Sequence, residues 1–250
     1  MDINVDMGES YGRWRLGDDA NVMPWITSAN IACGFHAGDP GNMRASARLA
    51  IEHGVAIGAH VGLPDLLGFG RRRIEVTADD VRDYAAYQIG ALHAIVASEG
   101  GRLAHVKPHG ALYALCSASG EHAGAIAAAI AGVDASLRLL LLSQRPAPAV
   151  EAHGVQLAAE AFPDLDYEPG GNLVIEPVKQ AWDPDRVARR AVRVVLERRI
   201  DTTDGDDLEV DAPTLCLHGD APNALETART VRQALESAGV TVTALPRSSA

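Results

Sequence analysis

Four of the nine histidines, His36, His60, His109 and His218, share a setting that the other five lack. Each ends a short apolar run or stands in the loop just after it, and each is followed within two residues by glycine. Acids keep them company: Asp6 and Glu9 near the N-terminus, Asp39 after His36, Asp65 after His60 and Asp220 after His218. Carboxylates and imidazoles gathered at one place either share protons or hold a cation. Asp6, His60 and His109 make a reasonable ligand set for a divalent metal with a position left for water. The same groups also suit metal-free general acid and base work, with Lys107 adding positive charge. Lys107 serves equally well as a structural partner of Asp6 or Glu9, and Asp39 and Asp220 equally well as helix caps. His53 and His153 each precede a glycine at the end of a helical segment, where a cation has a structural reason. His93, His105 and His122 have no special claim.

Bringing four such loops to one mouth requires a particular scaffold. Short apolar runs at 3–6, 28–33, 56–60, 105–109, 138–143, 155–161, 214–218 and 240–245 alternate with segments of helical period, which predicts seven or eight strands of a parallel (β/α) barrel. In such a barrel the C-terminal strand ends form the active-site face. Asp39-Pro40 and Thr77 with Asp79 and Asp80 read as helix starts, and Gly54, Gly100 and Gly239 as helix ends. A further helix is expected to start near Pro222. The irregular stretches 62–73 and 162–184 read as binding loops or lids. No linker divides 1–250, so a single domain is expected; at this length it buries roughly 75% of the surface of its unfolded chain.

Composition removes several classes. With 22 basic and 33 acidic side chains the net charge is −11, which disfavours nucleic acid as the main partner. The start of the chain is acidic where a signal peptide is basic, and no apolar run is long enough to span a bilayer, so a cytoplasmic protein with no membrane partner is expected. Cys33, Cys116 and Cys216 are odd in number and lack CxxC spacing, so they read as buried hydrophobes. Neither the GFGRRR loop nor Gly170-Gly171 is a Walker A or GxGxxG pattern, and an ATP site made by this chain alone is not supported. Arg71 and Arg72 are available to hold an anion.

The segments DINVDMGESYG (2–12), SANIACGFHAGDP (28–40), IGAHVGLPDLLGFGRR (57–72), VKPHGALY (106–113) and CLHGDAP (216–222) closely resemble the LamB/YcsF family, the A subunit of bacterial ATP-dependent 5-oxoprolinase. The resemblance covers essentially the whole chain. It implies a seven-stranded (β/α) barrel related to the polysaccharide-deacetylase and glycoside-hydrolase types, ATP as cofactor, B and C subunits as partners, and opening of the lactam of 5-oxo-L-proline to L-glutamate. The family's motif positions fall on Asp6, Glu9, Asn30, His36, Asp39, His60, Asp65, Arg71, Lys107, His109, His218 and Asp220. From these we expect Asp6, His60, His109 and Lys107 to be catalytic. The expected substrate contacts are Glu9, Asn30, His36, Asp39, Asp65, Arg71, His218 and Asp220. The alternative readings are a stand-alone metal-dependent amidase or deacetylase, and a subunit that binds the lactam without catalysing its opening.

The chain departs from the family pattern at three places. Val61 stands where proline usually follows the histidine of GAH, Leu165 stands where AFADR has its arginine, and Glu176 stands where LVxR has its own. If those arginines steady a carboxylate, the last two changes bear on the substrate.

Overall fold

The computed structural model describes residues 1–175 and 180–248; Glu176 lies outside the described residues. Seven parallel strands close into a barrel: β1 (Asp2–Met7), β2 (Ser28–Ala32), β3 (Ala56–Val61), β4 (Leu103–Pro108), β5 (Arg138–Leu141), β6 (Leu157–Ala161) and β9 (Thr214–Leu217), which returns to pair with β1. An antiparallel pair, β7 (Arg199–Asp201) with β8 (Asp207–Glu209), sits apart from it. The helices are α1 (Asp19–Val22), α2 (Pro40–His53), α3 (Ala78–Ser98), α4 (Gly110–Ala118), α5 (Gly120–Asp134), α6 (Ala147–Glu151), α7 (Pro184–Glu197) and α8 (Ala224–Ser237). None of the described helices is long and apolar enough to cross a membrane.

The helix ends follow the expected chemistry. Asp39 caps α2 by accepting hydrogen bonds from the backbone of Gly41 and Asn42, Pro40 supplies the first helical residue, and Gly54 closes the helix at φ 67°, which glycine adopts without strain. Thr77 and Asp80 form a reciprocal capping box at the start of α3. Pro222 lies just before Asn223, the cap of α8, rather than inside its first turn.

The segment 240–245, an eighth strand candidate by its sequence, is not a strand. It touches Met1 through two backbone hydrogen bonds, Met1 N to Thr241 O at 2.7 Å and Thr243 N to Met1 O at 2.9 Å. It cannot go further, because both edges of β1 are already paired with β2 and β9. The two-stranded β7–β8 pair, by contrast, has no counterpart among the strands that the sequence pattern predicts.

Every strand of the barrel is buried on both faces, yet the two faces differ. Ile3, Val5, Ala29, Ile31, Ala59, Val106, Leu215 and Leu217 belong to the apolar core. On β1, β2 and β4 alternate polar residues point into the barrel, as bonds between strands that are not neighbours show: Lys107 donates to Asn4 (3.1 Å) and His105 donates to Asn30 (2.7 Å). At the floor, Asp2 accepts from Thr27 (2.6 Å), Ser28 (2.8 Å) and Thr214 (2.5 Å). One layer up, Asn4 donates to Thr214 and Glu160 and accepts from Asn30 and Lys107. Burial first, then Lys107 and His60, pushes His105 down to about 3, so the ring stays neutral and donates.

Candidate active site

The uppermost interior layer opens into a cavity of about 1010 Å³ at the C-terminal ends of the strands. Asp6 comes from β1, Glu9 from the turn after it, His60 from β3 and His109 directly after β4, and all four line the cavity. His36, in the loop after β2, lies immediately behind, fully buried and stacked on His109 with ring centroids 3.9 Å apart. The glycines of these motifs make room for the rings: a Cβ at Gly58 would collide with His105, one at Gly62 with His36, and one at Gly70 with both His36 and His109.

Hydrogen bonds to carbonyl oxygens decide which ring nitrogens carry protons. His60 Nδ1 lies 3.0 Å from Lys107 O and His109 Nε2 lies 2.7 Å from Phe69 O, and toward a carbonyl each nitrogen can only donate. In the neutral tautomers so fixed, the remaining nitrogens, His60 Nε2 and His109 Nδ1, present lone pairs to each other across 2.9 Å. A proton or a cation must reconcile them. Burial, with His60 next, pushes His109 well below the ordinary imidazole value; burial, then His109 and His60, does the same to His36.

Glu9 Oε1 stands over this pair, 3.5 Å from His36 Nε2, 3.8 Å from His109 Nδ1 and 4.0 Å from His60 Nε2. Among the described residues, neither that oxygen nor either ring nitrogen of His36 has a hydrogen-bond partner, although all three are buried. Burial first, then Asp6 and Asp220, raises the Glu9 carboxyl well above its usual range. Ligand atoms of Glu9, His36, His60 and His109 all lie within 4.8 Å of one another, so this buried group could hold a metal ion. The backbone-anchored far nitrogens of His60 and His109 are what metal-binding imidazoles require. Glu9 and His36, expected as substrate contacts, therefore belong to the cluster.

Asp6 flanks it. One of its oxygens is 3.2 Å from His60 Nε2, and the other accepts from Asn30 at 2.9 Å and lies 3.3 Å from Lys107 Nζ. Burial alone would raise Asp6, but His60 and Lys107 outweigh it and hold the carboxylate well below its usual range. Lys107, in turn, is kept well above the ordinary lysine value, because Asp6, Cys216 and Glu160 overcome the burial that would lower it. Its ammonium also lies 3.3 Å from Glu160, so Lys107 stands between two carboxylates while lining the cavity.

The facing wall holds a second arrangement. His218 follows β9, and Asp164, in the turn after β6, accepts from its backbone N–H (2.8 Å) and faces its Nδ1 at 3.1 Å with both oxygens. His218 lines the cavity, its ring 5.9 Å from that of Phe162. Arg190, from α7, donates to the carbonyls of Pro163 and Leu165 at 2.7 Å each and braces the turn that carries Asp164. At the mouth Arg71 bonds Asp220 at 2.6 Å. Leu165, one of the positions at which the sequence departs from the resemblance, lines the cavity and is buried.

The other expected contacts do not line the cavity. Asn30 is fully buried in the barrel interior. Asp39 caps α2 and accepts from the Gly12 backbone at 2.9 Å. Asp65 accepts from Gly68 N and Arg72 Nε, pinning the loop around it. Sequence reasoning overlooks Asp164, Glu160 and Asn4. For Asn4 the available signal is the strict polar–apolar alternation Asp2-Ile3-Asn4-Val5-Asp6, and for Glu160 a lone acid in the otherwise apolar run 157–161; for Asp164 there is none in its own segment.

Fold and site together define a parallel seven-stranded (β/α) barrel with a carboxylate–histidine centre at its C-terminal mouth. Barrels of this type with other sequences share the fold: a putative cellobiose-phosphate cleavage protein of Enterococcus faecalis superposes with a TM-score of 0.56 at 15% identity, over 96% of this chain and 95% of that one. The chain belongs to the LamB/YcsF family, whose model matches residues 1–250. It is 48% identical over 250 residues to the 5-oxoprolinase A subunit of Thermus thermophilus, covering 98% of this chain and 99% of that protein. The crystal structure of the lactam utilization protein from another strain of Thermus thermophilus superposes with a TM-score of 0.90 at 46% identity, over 98% of this chain and 99% of that one.

Proposed function

We propose that this chain is the A subunit of an ATP-dependent 5-oxoprolinase and that its cavity opens the ring of 5-oxo-L-proline to L-glutamate together with B and C subunits. The observation that carries the reading is the buried cluster of Glu9, His36, His60 and His109 with its unpartnered atoms, in a chain closely similar to named 5-oxoprolinase A subunits. A divalent ion held there, with Asp6 beside His60, would act as a Lewis acid toward an oxygen of the substrate. Asp6, ionised and beside the cluster, takes the proton of the attacking water. Lys107 keeps Asp6 ionised. His218, oriented by Asp164, supplies the proton that the ring nitrogen needs in order to leave, and Arg71 and Asp220 meet the substrate at the mouth.

A five-membered lactam is a stabilised amide, so phosphorylation of its carbonyl oxygen by ATP makes ring opening feasible: water adds to that carbon, the ring nitrogen leaves as the amine, and a second water cleaves the resulting acyl phosphate to the carboxylate and inorganic phosphate. ATP is held with or by the partner subunits, in keeping with the lack of a phosphate-cradling motif in this chain. The test is glutamate release from 5-oxoproline, with and without ATP, by the chain alone and mixed with its B and C partners. ATP-dependent release only in the mixture is expected. Release by the chain alone without ATP would favour a stand-alone metal-dependent amidase, the reading to which the cation-ready cluster also lends weight.

A further inference from the structure

Two described residues other than glycine have positive φ: Arg198, at the exposed end of α7, and Phe69, at φ 53° in the loop after β3. A bulky side chain in the left-handed region is strained, and glycine or asparagine would sit there at lower cost. The helix-end case needs no functional explanation. Phe69 does, because its neighbours on both sides are glycines and the aromatic residue occupies the one position between them where it is conformationally least suited.

Its surroundings supply the reason. The left-handed turn aims the Phe69 carbonyl at His109 Nε2, 2.7 Å away. The ring meets His109 edge-on at 5.1 Å and His36 at 5.8 Å, and on its face carries the Arg71 guanidinium, 4.9 Å from the centroid. The next carbonyl, of Gly70, accepts from Ala111 N at 2.9 Å and ties the turn to the start of α4. One strained residue thus touches the histidine pair with its backbone and the mouth arginine with its side chain.

We infer that Phe69 is a positioning residue for ring opening: its backbone carbonyl holds His109 as the Nε2–H tautomer, so that Nδ1 keeps its lone pair toward His60 and Glu9, and its ring holds Arg71 over the mouth. This rests on the proposed function for its kinetic consequence and on geometry alone for the tautomer. The two parts separate by substitution. Asparagine tolerates the left-handed conformation without supplying a ring, whereas a β-branched residue resists that conformation and turns the carbonyl away.

The test is a long-range 1H–15N spectrum of the full chain, which reads the His109 tautomer directly, beside kcat and KM for 5-oxoproline in the mixture with partners and ATP. F69V is expected to lose the single Nε2–H tautomer and roughly 10–100-fold in kcat, as when the partner of a functional imidazole is removed. F69N is expected to keep the tautomer and most of kcat but to raise KM by roughly 2–5-fold as Arg71 loosens. F69Y should recover the tautomer and most of the rate. A melting curve on each variant separates local from global effects. A single tautomer with undiminished kcat in F69V overturns the inference, and so does indistinguishable behaviour of F69V and F69N. A wild-type mixture that releases no glutamate overturns the functional reading instead, while the spectrum still decides the tautomer.

Discussion

Both ends of the barrel interior are buried and polar, but they treat their polar atoms differently. At the floor Asp2 meets three hydroxyls, and Asn4, one layer up, uses both its donors and its acceptor, although Glu160 Oε1 beside it has no partner among the described residues. At the mouth Glu9 Oε1 and both nitrogens of His36 have no partner among the described residues, and two imidazole lone pairs face each other. A buried polar atom left unsatisfied costs about 1–3 kcal/mol. A protein keeps such atoms together only where something else completes them. The floor mostly closes on itself and the mouth gathers its unpartnered atoms at one point, although composition and burial alone would not tell them apart.

The sharpest way to break that contrast is at His109. His109→Ala should lower ring opening in the complete mixture by roughly 10²–10⁴-fold, the range for losing a positioned acid or base, and leave the melting temperature close to that of the parent. Near-normal turnover would remove His109 from the chemistry. Cation binding is the next largest effect. A divalent ion at about 100 times its Kd should stabilise the parent chain by about 2.7 kcal/mol, and a chain of this size melts about 2–4 °C higher per kcal/mol. Glu9→Gln should abolish most of that rise; an equal rise in both proteins would place the ion elsewhere.

Thr214→Val probes the other end. It deprives Asp2 and Asn4 of a partner, so it should cost about 1–3 kcal/mol of stability without changing kcat per folded molecule. A fall in kcat without loss of stability would show that floor and mouth are not separate in kind. The smallest effect is expected outside both. Asp39→Ala should cost about 1 kcal/mol at neutral pH through the lost cap of α2. The backbone N–H of Gly12 lowers the Asp39 carboxyl below the ordinary 3.8, against a smaller opposing effect of burial, and Asn42 and Gly41 add to it. A depressed carboxyl contributes stability above pH 3.8 and loses it as pH falls through the folded value, so part of the gap between parent and variant should close in acid melts below 3.8.

Much of this is legible along the chain. The strands carrying His60 and His109 show themselves as short β-branched runs, and Asp39-Pro40 and Thr77 announce their helices, because strand burial and helix capping are local matters. The loops of β3 and β4 follow from the same pattern, which is why His60 and His109 stand out in one dimension. The run 240–245 shows the limit: Val-Thr-Val-Thr is good strand sequence, yet a closed barrel has no free edge to accept it.

What only the tertiary structure decided is which atoms meet. His218 and Asp164 are 54 residues apart, and nothing in either segment names the other. Lys107 is open to two readings along the chain, and only the closing of the barrel sets it between Asp6 and Glu160. Glu9 and His36 pass from expected substrate contacts to members of the cluster because three loops converge on one point. Sequence by itself determined the residue types, their alternation and the family; periodicity and capping depend on near neighbours and survive in one dimension. The protonation, pairing and purpose of the polar groups depend on distances of about 3 Å between distant segments, and those exist only once the barrel is closed.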